Sequence, residues 1–403
     1  MQPVPQTIVT NSFQKLLQPT HDNYVPPAIL GSGCKFVAAC LLLFALGAER
    51  SFAQQKEDDT QADQADRYCL YVSLSGDHQI ALFEMNPQSG ALTRRPNVPV
   101  EGAPGSLAVD PNHKFLYAAV RSSGAVATFR IDPVTGGLAP LGSVQVVDNP
   151  VYVVTDKTGR YLFTAYYGAG KVAVYPIGVD GIVRTPATQV IEAEKNPHSI
   201  LKDRSNRIVF VPNTGADSIL QFRFDQQTGT LSPNHVPRIT TSTGAGPRHQ
   251  FFHPTMNLVY FVNEKSSSVT AFQLDPDTGT LAALQTTSTL PDDFRGKNTC
   301  ADIEITPDGR FLYASNRGHD SIACYAIDPL SGRLKSLGQQ PTEETPREFN
   351  VDPTGNFLFA AGQSSGRLAS YRIGPASGRL EPLATESVGK SPAWVLVLRL
   401  PGK

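Results

Sequence analysis

Charge of one sign is what this 403-residue chain lacks most plainly: 35 Lys and Arg stand against 36 Asp and Glu, a formal net charge of −1. That balance excludes a global basic field for nucleic acid and an acidic interaction tail. Charged residues amount to 18% and hydrophobic ones to 40%, a mixture that excludes a largely disordered or fibrous chain. Cysteine is scarce, with five in all, so no dense disulfide framework is available. Beyond residue 60, Cys69, Cys300 and Cys324 leave an odd thiol that stays free or pairs with another chain. Long apolar runs are missing too; the run Phe36 to Leu46 is eleven residues, short of a comfortable membrane span. No segment after residue 60 keeps a 3.6-residue period, so little helix is expected. His-Glu-x-x-His and Cys-x-x-Cys are both absent, which removes two common metal and redox signatures. Turn formers are plentiful instead, with 33 Gly and 32 Pro, and they favour many short strands.

The first 53 residues read as a leader. Lys35 precedes the apolar run, and Ser51-Phe52-Ala53 supplies a small-x-small site before Gln54, the three parts of a secretory signal peptide. The run starts unusually far from Met1, which a long n-region or a misplaced start codon explains. Residues 54–66, rich in Asp and Gln, read as a flexible acidic linker. The expectation is an exported chain, periplasmic or secreted, with a cytoplasmic form as the alternative.

The remainder repeats. An apolar-apolar-aromatic triplet places its aromatic at Tyr71, Tyr117, Phe163, Phe210, Tyr260, Tyr313 and Phe359, at intervals of 46 to 53 residues. A turn of the type Asp-Pro-x-Thr-Gly-x-Leu recurs, as in Asp132–Leu138 and Asp275–Leu281, with a degenerate Val179-Asp180-Gly181 in the third slot; its glycine supplies the positive φ of a tight turn. A Pro-led alternating strand starts at Pro104, Pro150, Pro197, Pro247, Pro346 and Pro392, with Cys300 in the remaining slot. Four short strands per unit at this period predict an all-β, seven-bladed β-propeller of four-stranded antiparallel blades over residues 67–400. Residues 392–400 have no repeat after them and are expected to supply the innermost strand of the first blade, closing the ring.

The copies can be compared with one another. After the strand-starting Pro they read Gly105, Val151, His198, Arg248, Ala301, Arg347 and Ala393. Four residues past the marker aromatic they read Ser75, Arg121, Tyr167, Thr214, Glu264, Arg317 and Gln363, and neighbouring positions add His249, Asp302 and His319. Both sets are expected around the tunnel mouth on one face. Several arginines there suit an anionic ligand, because guanidinium forks bind carboxylate or phosphate at two points. Each residue also admits a plain structural reading, since Arg–Glu pairs often only stabilise loops. His249 and His253 share a strand with no third ligand in view, and Asp302 with Asp292 and Asp293 reads as loop acids, so no metal site is expected.

The motifs Asn196-Pro197-His198-Ser199, Gly246-Pro247-Arg248-His249, Val262-Asn263-Glu264, Ser315-Asn316-Arg317-Gly318-His319 and Pro392-Ala393-Trp394-Val395 together resemble the seven-bladed-propeller lactonase family. That family includes bacterial 6-phosphogluconolactonases and fungal carboxy-muconate cycloisomerases. The resemblance spans roughly residues 68–400. It implies His198, Arg248, Glu264 and Arg317 as catalytic residues, no metal or organic cofactor, and a small-molecule acidic lactone as substrate; no nucleic-acid partner is implied, and a monomer is expected. Arg347, His249, Arg121 and Asp302 are the expected substrate contacts. Glu348 follows Arg347 where many relatives carry glycine. An exported leader points to an acidic lactone other than a cytosolic sugar phosphate. The alternative is a non-catalytic exported propeller that binds anions or a partner.

Hydrolysing a lactone takes an activated water, stabilisation of the oxyanion and a proton for the ring alcohol. Glu264, the one carboxylate in the two compared sets, is the expected base and His198 the expected proton donor, with the reverse assignment open. Arg248 and Arg317 are expected to hold the anionic group and the oxyanion, with Arg347 as an auxiliary clamp.

Overall fold

The computed structural model describes residues 66–402; the leader and all but the last residue of the linker lie outside the described residues. Twenty-eight strands form seven four-stranded antiparallel sheets, and no helix occurs among the described residues. Blade two shows the plan: Pro104–Val109, Phe115–Val120, Ala125–Ile131 and Leu138–Gln145 run from the inner to the outer edge. Its second strand is almost wholly buried, whereas its outer strand is largely exposed. The reason is that each blade packs its two faces on its neighbours. One apolar cluster joins Tyr71 and Leu82 of blade one to Leu116 and Phe129 of blade two, and another joins Phe357 and Phe359 of blade seven back to Phe83 and Val397 of blade one. Burial between sheets therefore supplies the cohesion of the ring.

The marker aromatic and the recurrent turn work as a pair. The hydroxyls of Tyr71, Tyr117, Tyr260 and Tyr313 donate to the carbonyls of Gly136, Gly181, Gly332 and Gly378 at 2.7–2.9 Å, each in the turn of the next blade. Gly136 has φ +70°, and a Cβ there would lie 2.2 Å from Cys69 Sγ. The turn needs glycine both for its dihedral and for the close approach of the preceding blade. Losing one such buried hydrogen bond, as in Tyr313→Phe, is expected to cost about 1 kcal/mol, read as a lowered denaturant midpoint with an unchanged slope.

Closure follows the expected plan. Pro392–Leu400 pairs antiparallel with Arg67–Leu74, with Leu400 opposite Arg67 and Val397 opposite Leu70, so the first blade takes its inner strand from the far end of the propeller sequence.

Candidate active site

The inner strands begin irregularly, and this irregularity builds the site. Their pairing shifts register between Pro104 and Leu107, between Pro247 and His249, between Cys300 and Ile303, and between Pro346 and Glu348. A bulge leaves a residue out of the ladder and re-aims its side chain. Arg248 and Arg347 occupy that bulged position. Both line a cavity of about 350 Å³, with His198, Val151 and Ala393 from the same slot of other blades. Ser75, Arg121 and Gln363, from the slot four residues past the marker aromatic, line it too.

Arg248 is fully buried and lies at the centre of a charged cluster. Its Nε lies 3.3 Å from Glu264 Oε2 and its Nη2 lies 3.2 Å from Glu348 Oε1, while Nη1 donates to the Ala301 carbonyl. Glu264 also reaches Arg317, with Oε1 3.3 Å from Nη2, and Arg317 Nη2 donates to the Cys300 carbonyl at 2.7 Å. Backbone bonds fix Glu264 at its strand end: its N–H donates to Gly246 O at 2.7 Å and its carbonyl accepts from Cys300 N–H at 3.0 Å. Arg248, Glu264 and Arg317 thus form a chain of alternating charge across two blades.

Arg121 and Arg347 differ from these. Neither guanidinium makes a hydrogen bond or ion pair with the described residues, and both line the cavity. Burial and the neighbouring Arg248 cation push Arg347 down to about 9, which leaves it charged at neutral pH. The sequence reading gave the anchoring of an anion to Arg248 and Arg317. The geometry corrects that emphasis: those two are committed to Glu264, and the unpaired cations are Arg121 and Arg347.

His198 also differs from expectation. Its ring is buried edge-on against Tyr167 and His249, with centroids 5.5 and 5.1 Å away. Burial first, and then the Arg248 cation, hold it well below the ordinary histidine range. It is neutral at pH 7, so the expected role of a proton-charged donor is withdrawn. Its Nδ1 has no hydrogen-bond partner, and Arg248 Nε and Arg317 Nε are likewise buried without an acceptor in bonding geometry. Buried orphans of this kind are rare in folded proteins. Two of these three atoms belong to the arginines that flank Glu264.

Behind Arg248 lies a layer that the sequence reading did not assemble. His249 Nδ1 lies 3.0 Å from Asp302 Oδ1 and 3.8 Å from Glu348 Oε2. Glu348, read only as a rim substitution, is 2% exposed and faces Arg248; Glu264 is therefore not the sole carboxylate of the site. The available signal was its place directly after a bulge arginine. Asp302 is buried with this layer, while Asp292 and Asp293 are exposed. Among the described residues His249, Asp302 and Glu348 alone cluster with metal-ligand spacing, but the cation set against them is the Arg248 guanidinium. His253 instead bonds Gly309 O at 2.9 Å, and His319 bonds Ser321 at 2.7 Å and packs on Phe294.

A family model described as "Lactonase, 7-bladed beta-propeller" matches residues 70–397. The 6-phosphogluconolactonase of Serratia proteamaculans is 37% identical over 225 residues, covering 56% of this chain and 67% of that protein. The 6-phosphogluconolactonase of Pectobacterium carotovorum is 40% identical over 227 residues, covering 56% and 68%. Among solved structures, the periplasmic gluconolactonase of Pseudomonas aeruginosa aligns with a TM-score of 0.77 at 28% identity, covering 84% of this chain and 100% of that one.

Proposed function

The chain belongs to the seven-bladed β-propeller lactonase family and is a lactonase-type carboxylic ester hydrolase; from that premise we propose that it hydrolyses an acidic sugar lactone, similar to 6-phosphogluconolactone, in the arginine-lined cavity without a metal ion. One observation carries this reading. A 350 Å³ cavity, of a size suited to small ligands, is lined by the unpaired Arg121 and Arg347 and by Arg248, whose Nε lies 3.3 Å from the Glu264 carboxylate. The unpaired pair seats the phosphate or carboxylate, and the orphaned N–H groups meet the reacting oxygens.

The chemistry then runs on the chain's own groups. Glu264 takes a proton from a water whose oxygen bonds to the lactone carbonyl carbon. The carbonyl oxygen gains negative charge and accepts from Arg248 Nε–H and Arg317 Nε–H. Collapse re-forms the carbonyl and breaks the ring C–O bond, and Glu264 returns its proton to the departing alkoxide, leaving the open hydroxy acid. Neutral His198 serves as a hydrogen-bond partner, so Glu264 acts in turn as base and acid.

The test is hydrolysis of a panel of phosphorylated, carboxylated and neutral sugar lactones, with and without chelator. Turnover of anionic lactones that survives the chelator is expected. Arg347→Ala and Arg121→Ala are each expected to raise KM for anionic lactones about ten- to a hundred-fold, the worth of one charge-assisted hydrogen bond, while neutral lactones are spared. Absence of turnover across the panel, with the anions still bound, overturns the reading in favour of an anion-binding propeller. Export to the periplasm is proposed with it; a native protein whose N-terminal sequence starts upstream of residue 36 overturns that part.

A further inference from the structure

His249 is bracketed in a way that fixes its proton. Its Nε2 lies 3.3 Å from Arg248 Nη1, and an arginine nitrogen only donates. The Nε2 lone pair therefore faces Arg248, and the single ring proton sits on Nδ1, where it points at Asp302 Oδ1, 3.0 Å away. His249 is a neutral donor with one proton to give, and Asp302 receives it. Glu348 lies against Asp302 in the same buried layer. Two buried carboxyls within 4.8 Å of each other, with a neutral imidazole beside them, do not both ionise even with the Arg248 guanidinium on Glu348.

We infer that Asp302 and Glu348 hold one proton between them and are positioning residues: protonated Asp302 donates to Glu348, and Glu348 keeps the single negative charge that fixes Arg248 at Nη2, leaving its Nε beside Glu264. The backbone N–H of Phe349, 3.3 Å from Asp302 Oδ2, keeps the Asp302 carboxyl in place. Loss of the shared proton puts a second negative charge beside Arg248 and draws the guanidinium off Glu264.

The groups around the pair agree with this. Burial pushes Asp302 well above the carboxylate range and Glu348 upward, and each carboxyl is faced by another negative neighbour or by a cation that offsets it only in part. On the strands packed here stand Glu304, pushed up to about 8 by burial and bonded by Asn350 at 2.9 Å, Tyr152, whose hydroxyl burial keeps protonated, and neutral His198. Arg347 and Arg317 supply the remaining positive charge.

The test is the melting temperature of the whole protein between about pH 6 and pH 9, for the wild type, Asp302→Asn and Glu348→Gln. Unfolded aspartate loses its proton near 3.9, whereas the folded pair keeps its proton to higher pH. The folded state therefore binds more protons, and stability falls as pH rises through the raised value. Asparagine at 302 still donates an N–H but does not titrate, so its melting temperature is expected to fall by about 2–4 °C less over that range. If Asp302→Asn does not fold, Glu348→Gln gives the same reading, because removing one carboxyl ends the sharing. Parallel curves for wild type and the folded variants overturn the inference. The kinetic arm rests on the lactonase reading. The alkaline fall of kcat is expected to weaken in Asp302→Asn, and Glu348→Gln is expected to lower kcat more than it raises KM, which a packing role alone does not do. Flattened melting curves with no lactone turned over would count against the lactonase reading and leave the shared proton standing; turnover with parallel curves does the reverse.

Discussion

Replacing Glu264 by glutamine is expected to lower turnover on the preferred anionic lactone about a hundred- to a thousand-fold, the cost of removing one positioned charge from a reacting centre. Glutamine keeps the volume and a carbonyl oxygen for one arginine. It loses the proton-accepting carboxylate and the charge that lies 3.3 Å from both Arg248 and Arg317. KM is expected to change little, because the substrate's anion is seated by Arg121 and Arg347, so the split between kcat and KM is the diagnostic reading. Folding must be checked alongside. Breaking a buried ion pair costs about 3–5 kcal/mol when one charge is left without a partner; here Glu264 is 22% exposed and Arg248 keeps Glu348, so the loss is expected to be smaller and the protein to fold. The companion variant is His198→Asn. Full turnover in folded Glu264→Gln, with turnover abolished in His198→Asn, moves the base role to His198, whose neutral ring is able to accept a proton.

The blades were legible because each repeat must solve the same physical problem. An aromatic in the second strand has to reach the glycine turn of the next blade, as Tyr71 reaches Gly136 and Tyr313 reaches Gly378, so both markers recur in every unit where they are needed. Closure was legible for a related reason: a terminal strand without a following repeat has only one open edge to join. The positions lining the cavity were legible as slots, since bulge residues such as Arg248 and Arg347 follow a strand-starting proline. Pairing within the site was not. Arg248 and Glu348 meet across 100 residues of sequence, and which arginine stays unpaired depends on distances between blades that no local pattern carries. The protonation of His198 was misread for the same reason. Its ordinary solution range suggests a proton near neutral pH, but the packing of Tyr167 and His249 around it removes the water that a charged ring requires. Residues 1–65, which carry the leader reading, lie outside the described residues.

Deleting residues 392–403 is expected to abolish folding rather than weaken it. The closing strand Pro392–Leu400 buries Val395, Val397, Leu398 and Leu400 and serves two clusters at once: Val395 and Val397 pack towards blade seven, and Leu398 and Leu400 towards blade two. At about 1.5–3 kcal/mol for each fully buried side chain, these four contribute roughly 6–12 kcal/mol before Trp394 and Leu396 are considered. A typical folded protein is stable by only about 5–15 kcal/mol. The deletion also strips the partner from Arg67–Leu74, a strand buried along nearly its whole length. Such a bare apolar edge pairs readily with other chains. Insoluble product, or a soluble product without a cooperative melting transition, is the expected outcome. Connectivity and loss of side chains are separated by a rearranged chain in which residues 392–402 run directly into Asp66. Leu400 lies opposite Arg67, and Gly402 N–H donates to Asp66 Oδ1 at 3.3 Å, so the junction needs only a short hairpin turn. That permuted chain is expected to melt close to the wild type. A truncated protein that stays soluble with an unchanged melting curve contradicts closure through this strand, because the first blade would then be stable with its inner edge open.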